Sequence, residues 1–130
     1  MQKLLLDWDI ECDFELFGVA SHVGSHRLGW ELNRIFDWEL EFDRMMEDRH
    51  IVLRYYNIDE DLDAALILNR VPEGILASGA SSFDYLLRIR NGLNTDLDII
   101  KKIRSSNLVT LVTSVSPEGS GALEELFELD

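Results

Sequence analysis

Two stretches of the chain before residue 118 space their apolar residues as an amphipathic helix does. In the first stretch, from Ser25 to Phe36, apolar residues recur every three or four positions and so share one helical face. These residues are Leu28, Leu32, Ile35 and Phe36. The second stretch begins at the cap-like Thr95 and ends near Arg104, among basic residues that a helix dipole favours there. Its apolar stripe consists of Leu97, Ile100 and Ile103. The sequence therefore predicts two helices.

Strand-like stretches lie before, between and after these helices. Acids and apolar residues alternate from Asp7 to Glu15, with the period of two that is typical of a half-buried strand. A more apolar stretch, Phe14 to Ala20, continues it. Trp38, Leu40 and Phe42 alternate with acids in the same way. Further strands are predicted at 50–58, 64–71, 83–89 and 108–115, although the apolar run 64–71 also fits a helix.

This order of strand, helix, several strands, helix and strand favours an α+β fold. We expect an antiparallel sheet with two helices on one face, in a ferredoxin-like order of elements. The part from Phe83 to Val115 also looks like the second half of the small ACT-type regulatory domains. This likeness concerns topology and carries no function by itself.

The chain of 130 residues is long enough for one hydrophobic core. Residues 1–117 are predicted to form a single α+β domain that ends at Ser116-Pro117. Glu118 to Gly121 is typical of a flexible linker. The remaining residues, 122–130, form a short acidic tail in which Leu123, Leu126 and Phe127 have helical spacing. We therefore expect a flexible linker and tail at 118–130.

The charge of the chain restricts its partners. Twenty-five Asp and Glu residues against 12 Lys and Arg give a net charge of −13, which repels nucleic acid and anionic membranes. No apolar run approaches the roughly 18 residues of a membrane-spanning helix. The single cysteine, Cys12, forms no disulfide within the chain and falls on the apolar side of its alternation. We expect a cytoplasmic protein that binds neither nucleic acid nor membrane.

Two stretches resemble a known family. Phe83-Asp84-Tyr85 is similar to the second half of the motif IPExxxVDY, which names a family of Bacteroidota proteins with no assigned activity. Ala77-Ser78-Gly79 stands where that family has Ile-Pro-Glu. The stretch from Gly18 to Asn33 is similar to the family's N-terminal strand, its Ser-His turn and its Arg-Leu-x-Trp-x-Leu-Asn helix. The resemblance implies a cytoplasmic bacterial protein and transfers no catalytic residues.

Few residues carry a motif for chemistry. His22 and His26 are four apart, a spacing that puts two imidazoles on one helix face, but we favour turn and cap histidines over metal ligands here. The acids of Asp59 to Asp63 lack the spacing of a calcium loop and indicate a solvated turn. Two roles are open for Arg88. It forms a structural ion pair with an acidic neighbour, or it contacts an anion. We predict no catalytic residue, no metal ligand and no cofactor.

The absence of such motifs favours a non-enzymatic protein-protein interaction module. We expect a homodimer that binds another protein through a sheet edge, Trp30 and the amphipathic tail. The candidate contacts are His22, His26, Trp30, Asp84, Tyr85, Arg88, Leu126 and Phe127. The alternative is an ACT-like domain that binds a small molecule or metal between subunits, near Arg88 and His22.

Overall fold

Six strands form one antiparallel sheet in the computed structural model, which describes residues 13–92 and 98–129. The strand order across the sheet is β2-β3-β4-β7-β1-β8, and β5 pairs with β6 in a small separate hairpin. The elements in chain order are β1 (Glu15–Ala20), α1 (Ser25–Phe36), β2 (Glu41–Met46), β3 (His50–Asn57), β4 (Leu62–Leu68), β5 (Arg70–Val71), β6 (Gly74–Ile75), β7 (Tyr85–Asn91), α2 (Ile99–Arg104), β8 (Leu111–Val115) and α3 (Leu123–Phe127). Short 3-10 turns lie at Ser78–Ala80 and Glu118–Ser120. The fold is α+β, as the sequence predicts.

The apolar run 64–71 is strand rather than helix. Its first part belongs to β4, which lies between β3 and β7, and its end forms β5. Every residue from Leu62 to Ile67 is buried. A strand that is buried on both faces shows no alternation of apolar and polar residues. Periodicity alone therefore could not distinguish a strand from a helix in this run.

Helix α1 spans the residues that its spacing predicts, and the strand after it begins later than predicted. Asp37 adopts the left-handed conformation (φ 61°) and ends the helix. The side chain of Asn33 then accepts a hydrogen bond from the backbone N–H of Leu40 at 2.8 Å. Trp38 and Leu40 are buried in this connection, whereas Phe42 in β2 is 57% exposed. The prediction that all three share the buried face of one strand is therefore wrong.

The sheet separates two apolar cores. The α1-side core contains residues of α1 and α2 together with one face of the sheet, namely Leu28, Leu32, Ile99 and Ile103 with Phe17, Val19, Leu53, Leu66, Leu87 and Ile89. The α3-side core contains the other face with the C-terminal residues, namely Leu16, Val52, Ala65, Ile67 and Leu86 with Ala122, Leu126 and Leu129. Both faces of the sheet are thus covered, and α3 covers the face for which the sequence predicts no helix.

The C-terminal residues correct the prediction of a flexible linker and tail. Leu126 and Leu129 are completely buried in the α3-side core. Glu118–Ser120 is a 3-10 turn packed against the turn at Ser78–Ala80. A Cβ atom at Gly79 would lie 1.8 Å from the carbonyl oxygen of Gly119, so the missing side chain of Gly79 permits close backbone contact between the two turns. Residues 118–129 therefore pack as part of the same domain.

Several predictions fall outside the described residues. These are the strand residues Asp7 to Cys12, with Cys12 itself, and the helix cap at Thr95 to Leu97. The described part of the second helix begins at Ile99, and β8 begins at Leu111 instead of Leu108. Within residues 13–92 and 98–129, no helix has the length and apolar character needed to cross a membrane.

Candidate interaction surface

Three of the predicted contact residues lie on the surface around α1. His22 and His26 are exposed, His22 in the turn before the helix and His26 in its first turn. Trp30 is 64% exposed, in contrast to the buried Trp38. Across the described ranges, no group of three or more His, Cys, Asp or Glu side chains has an arrangement that suits a metal ion.

Asp84 and Tyr85 connect β7 to the turn before α1. The carboxylate of Asp84 accepts a hydrogen bond from the backbone N–H of Ser21 at 2.9 Å. The Tyr85 hydroxyl donates to the carbonyl oxygen of Val23 at 2.6 Å, and burial raises the pKa of this tyrosine. These two side chains thus hold the turn that contains His22 against the sheet.

Arg88 lies in a buried charge cluster that the sequence predicts only in part. Its fully buried guanidinium is 3.1 Å from the carboxylate of Asp63 on the neighbouring strand β4. Arg54 binds the same carboxylate with two hydrogen bonds, at 2.7 and 3.1 Å, and Arg90 lies 3.7 Å from it. Nothing in the sequence pattern marks Arg54 or Asp63 for this role, because their partners come from other strands.

The arginines of this cluster also hold the C-terminal segment. Arg88 donates to the carbonyl oxygen of Leu126 at 2.9 Å, and Arg54 donates to that of Leu129. Phe127 packs edge-on against Phe14, with 5.3 Å between the ring centroids. Leu126 is buried and Phe127 partly buried, so the predicted role of the tail as an exposed docking helix is wrong. Its apolar side chains already bind the chain's own sheet.

The outer edge of β2 is open in the described part of the chain, since β2 ends the sheet and pairs only with β3. A bulge between Phe42 and Arg44 shifts the register. Phe42 lies opposite Leu53 and Met45 lies opposite Ile51, and both of these partners belong to or pack on the α1-side core. Paired residues share a face of the sheet. Phe42 and Met45 therefore lie on the α1 side.

Leu53 connects an exposed residue of the edge strand with helix α1. Phe42, 57% exposed, is its cross-strand partner. Gly29 of α1 packs directly on it, because a Cβ at Gly29 would lie 2.6 Å from a methyl carbon of Leu53. Large exposed aromatic side chains of this kind are common anchors in protein interfaces.

Two cavities follow one another along β2. The first, about 460 Å³ at the start of the strand, is lined by Glu39, Glu41 and Asp43 with the aromatic residues Phe42, Tyr55 and Tyr56. The second, about 470 Å³ at the end of the strand, is lined by Glu47, Glu125 and Glu128 with Met45 and Met46. One arginine lines each cavity, and each is paired with an acid, Arg54 with Asp63 and Arg44 with Asp43. Acids therefore outnumber basic residues in both cavities.

No family model, no curated protein and no solved structure matches the chain.

Proposed function

We propose that this protein is a binding module that takes up an extended, basic segment of another protein along the open edge of β2. The observation that carries the proposal is the coincidence of three features on one strand. Its outer backbone edge is open in the described residues, exposed Phe42 and Met45 lie on it, and an acidic cavity lies at each of its ends. Addition of a strand to an exposed sheet edge is a recurrent mode of peptide recognition.

The sheet geometry defines where a partner's side chains would go. Backbone hydrogen bonds to β2 would supply affinity without regard to sequence, while alternate side chains of the added strand would point to the two faces of the sheet. On the α1 face these side chains would meet Phe42 and Met45. The bulge and the charges of β2 discourage pairing with a second, equally acidic β2.

Charge selects the chemistry of the partner. The six acids of the two cavities stand against two arginines that are already paired with carboxylates. The whole chain carries −13, so long-range attraction also favours a cationic partner. A segment with lysine or arginine at alternating positions matches both the strand period and this charge.

A designed peptide tests the proposal directly. The probe is a peptide of about eight residues in which Lys and Val alternate, titrated by isothermal calorimetry, with a Glu-Val peptide of equal length as its counterpart. We expect binding of the Lys-Val peptide alone, weaker as salt rises from about 0.05 to about 0.5 M. Hydrogen exchange of the β2 amides should slow in the complex. Equal binding of both peptides, or protection elsewhere only, contradicts the proposal.

A matched pair of variants separates the site from the general charge of the molecule. Glu39→Lys/Glu41→Lys changes two acids of the first cavity, and Asp59→Lys/Glu73→Lys makes the same charge change on exposed residues of two other turns. The first variant should bind the Lys-Val peptide with an affinity lower by about tenfold or more, and the second variant should lose much less affinity. Equal losses would show that net charge alone attracts the peptide.

We also propose a ferredoxin-like arrangement for β8, β1, β7 and β4 with α1 and α2. In support, β1 and β4 run in the same direction on either side of β7, and β7 and β8 do so on either side of β1. Helices α1 and α2 lie in the two connections. Strands β3 and β2 then extend the sheet beyond β4 and create the edge at which the partner binds.

We also propose that the chain belongs to the IPExxxVDY family and has the cytoplasmic location that the resemblance implies. Its support is that the two similar stretches contact each other through the Ser21–Asp84 and Val23–Tyr85 hydrogen bonds.

A further inference from the structure

The second edge of the sheet, at β8, differs from β2 in chemistry. The strand consists of Leu111, Val112, Thr113, Ser114 and Val115, and contains no charge, no proline and no bulge. Its outer side has no partner among the described residues, because β8 ends the sheet and pairs only with β1. Proteins usually protect an exposed edge strand with one of these devices. In a chain of net charge −13, an edge strand without charges adds no local repulsion between two copies.

We propose that β8 pairs antiparallel with β8 of a second copy, about a two-fold axis at Thr113, to give a continuous sheet of twelve strands. This interface is independent of the proposed partner site at β2, which lies at the opposite end of the sheet. A two-fold axis makes the contact isologous, so the same five residues must complement themselves.

The residues of β8 satisfy this requirement in one register. With Thr113 on the axis, Leu111 of each copy lies opposite Val115 of the other, and all five residues are paired. Leu111 is 52% exposed in the single chain although it is a large apolar residue. Pairing places it beside an apolar residue on the same face of the sheet, and Thr-Thr is a favourable cross-strand pair at the axis.

The size of the contact sets the expected strength of the dimer. Five paired residues and their flanks make a smaller interface than the roughly 800 Å² per partner of a standard stable complex. We therefore expect a reversible dimer whose population rises with concentration. Sedimentation equilibrium of the full chain over a range of concentrations should show a transition from one to two copies. A single copy at every concentration would overturn the proposal.

A charge on the axis tests the location of the interface. Thr113→Lys places two like charges next to each other in the dimer, and should leave a folded monomer at concentrations where the unaltered chain is dimeric. Met45→Lys makes a comparable substitution on the other edge strand and should leave the dimer intact. Dissociation by Met45→Lys and not by Thr113→Lys would locate the dimer contact at β2 and overturn the proposal.

Disulfide trapping tests the register and does not depend on the lysine variant folding. In a Cys12→Ser background, Thr113→Cys places two thiols opposite each other, with Cα atoms about 4.5 to 5.5 Å apart, within the range of a disulfide. The control Ser116→Cys is also exposed, but its two copies would lie about 20 Å apart in this register. Rapid cross-linking of Thr113→Cys alone supports the proposal, and equal cross-linking of both variants, or of neither, overturns it.

Discussion

The guanidinium of Arg88 lies 3.1 Å from the carboxylate of Asp63, and this buried ion pair joins the two central strands β7 and β4. Two further arginines, Arg54 and Arg90, share the carboxylate. Because Arg88 and Arg54 also bind carbonyl oxygens at the C-terminal end of the chain, one aspartate on β4 fixes the cations that hold the C-terminal segment on the sheet.

Asp63→Asn should lower the free energy of unfolding by about 3 to 5 kcal/mol, because it removes a buried carboxylate that binds the fully buried guanidinium of Arg88. Urea unfolding followed by far-ultraviolet circular dichroism measures the loss. Asp43→Asn is the matched control, since Asp43 forms a 2.6 Å ion pair with Arg44 that is largely exposed. The Asp43→Asn substitution should lower the free energy of unfolding by less than about 1 kcal/mol. A loss at Asp63 no greater than at Asp43 would contradict the structural role of the cluster.

Leu126→Ala should destabilise the whole domain by about 2 to 5 kcal/mol, because Leu126 is completely buried in the α3-side core. The control is Glu124→Ala, an exposed position on the same helix, where the change should stay within about 0.5 kcal/mol. Thermal and urea unfolding both report the difference. If Leu126→Ala leaves stability unchanged, the C-terminal helix is a separate tail after all.

Gly79→Ala should destabilise the contact between the two 3-10 turns, because its methyl group would meet the carbonyl oxygen of Gly119. We expect a loss of about 1 to 3 kcal/mol, which is typical of overpacking. Gly119→Ala is the control at the same contact, because its Cβ would lie no closer than 3.6 Å to any neighbour. Comparable losses for the two variants in urea unfolding would show that the turns do not meet as described.

Acid should weaken the contact between α1 and the loop after α2 through Glu31. This side chain is buried and accepts hydrogen bonds from Arg34 at 3.0 Å and from the Ser106 hydroxyl at 2.5 Å. The hydrogen bond from Arg34, followed by that from Ser106, lowers the pKa of Glu31 from its ordinary value. A carboxylate whose pKa is lower in the folded state than in the unfolded state stabilises the fold at pH values above the unfolded-state pKa. This contribution is lost as the pH falls through the folded-state pKa.

The measurement is the free energy of urea unfolding of the unaltered chain and of Glu31→Gln, from about pH 6 to about pH 3. The difference between the two chains should shrink as pH falls, because Gln cannot titrate. A constant difference over this range would show that the ionisation of Glu31 does not contribute to stability.

Local patterns determined much of the secondary structure. Helix α1 occupies the residues that its apolar spacing predicts, because a stripe on one face requires only neighbours three and four positions apart. The turn at Asn57 is equally local, since its side chain accepts hydrogen bonds from the N–H groups of Asp59 and Glu60. Exposure of Trp30 also follows from its place outside the apolar stripe.

The charge cluster and the C-terminal packing depended on the tertiary structure. Asp63, Arg54 and Arg88 come from three different strands, and register alone brings them together. The glycines of 118–121 are typical of a linker, but this segment packs where Gly79 allows two backbones to touch, a requirement that no single segment reveals. Sequence by itself therefore determined helix α1 and the turn at Asn57, because those preferences are local, but it left the buried run 64–71 open between helix and strand. Only the tertiary structure decided which residues are buried, paired or left at an open edge, because burial and register depend on contacts between segments distant in the chain.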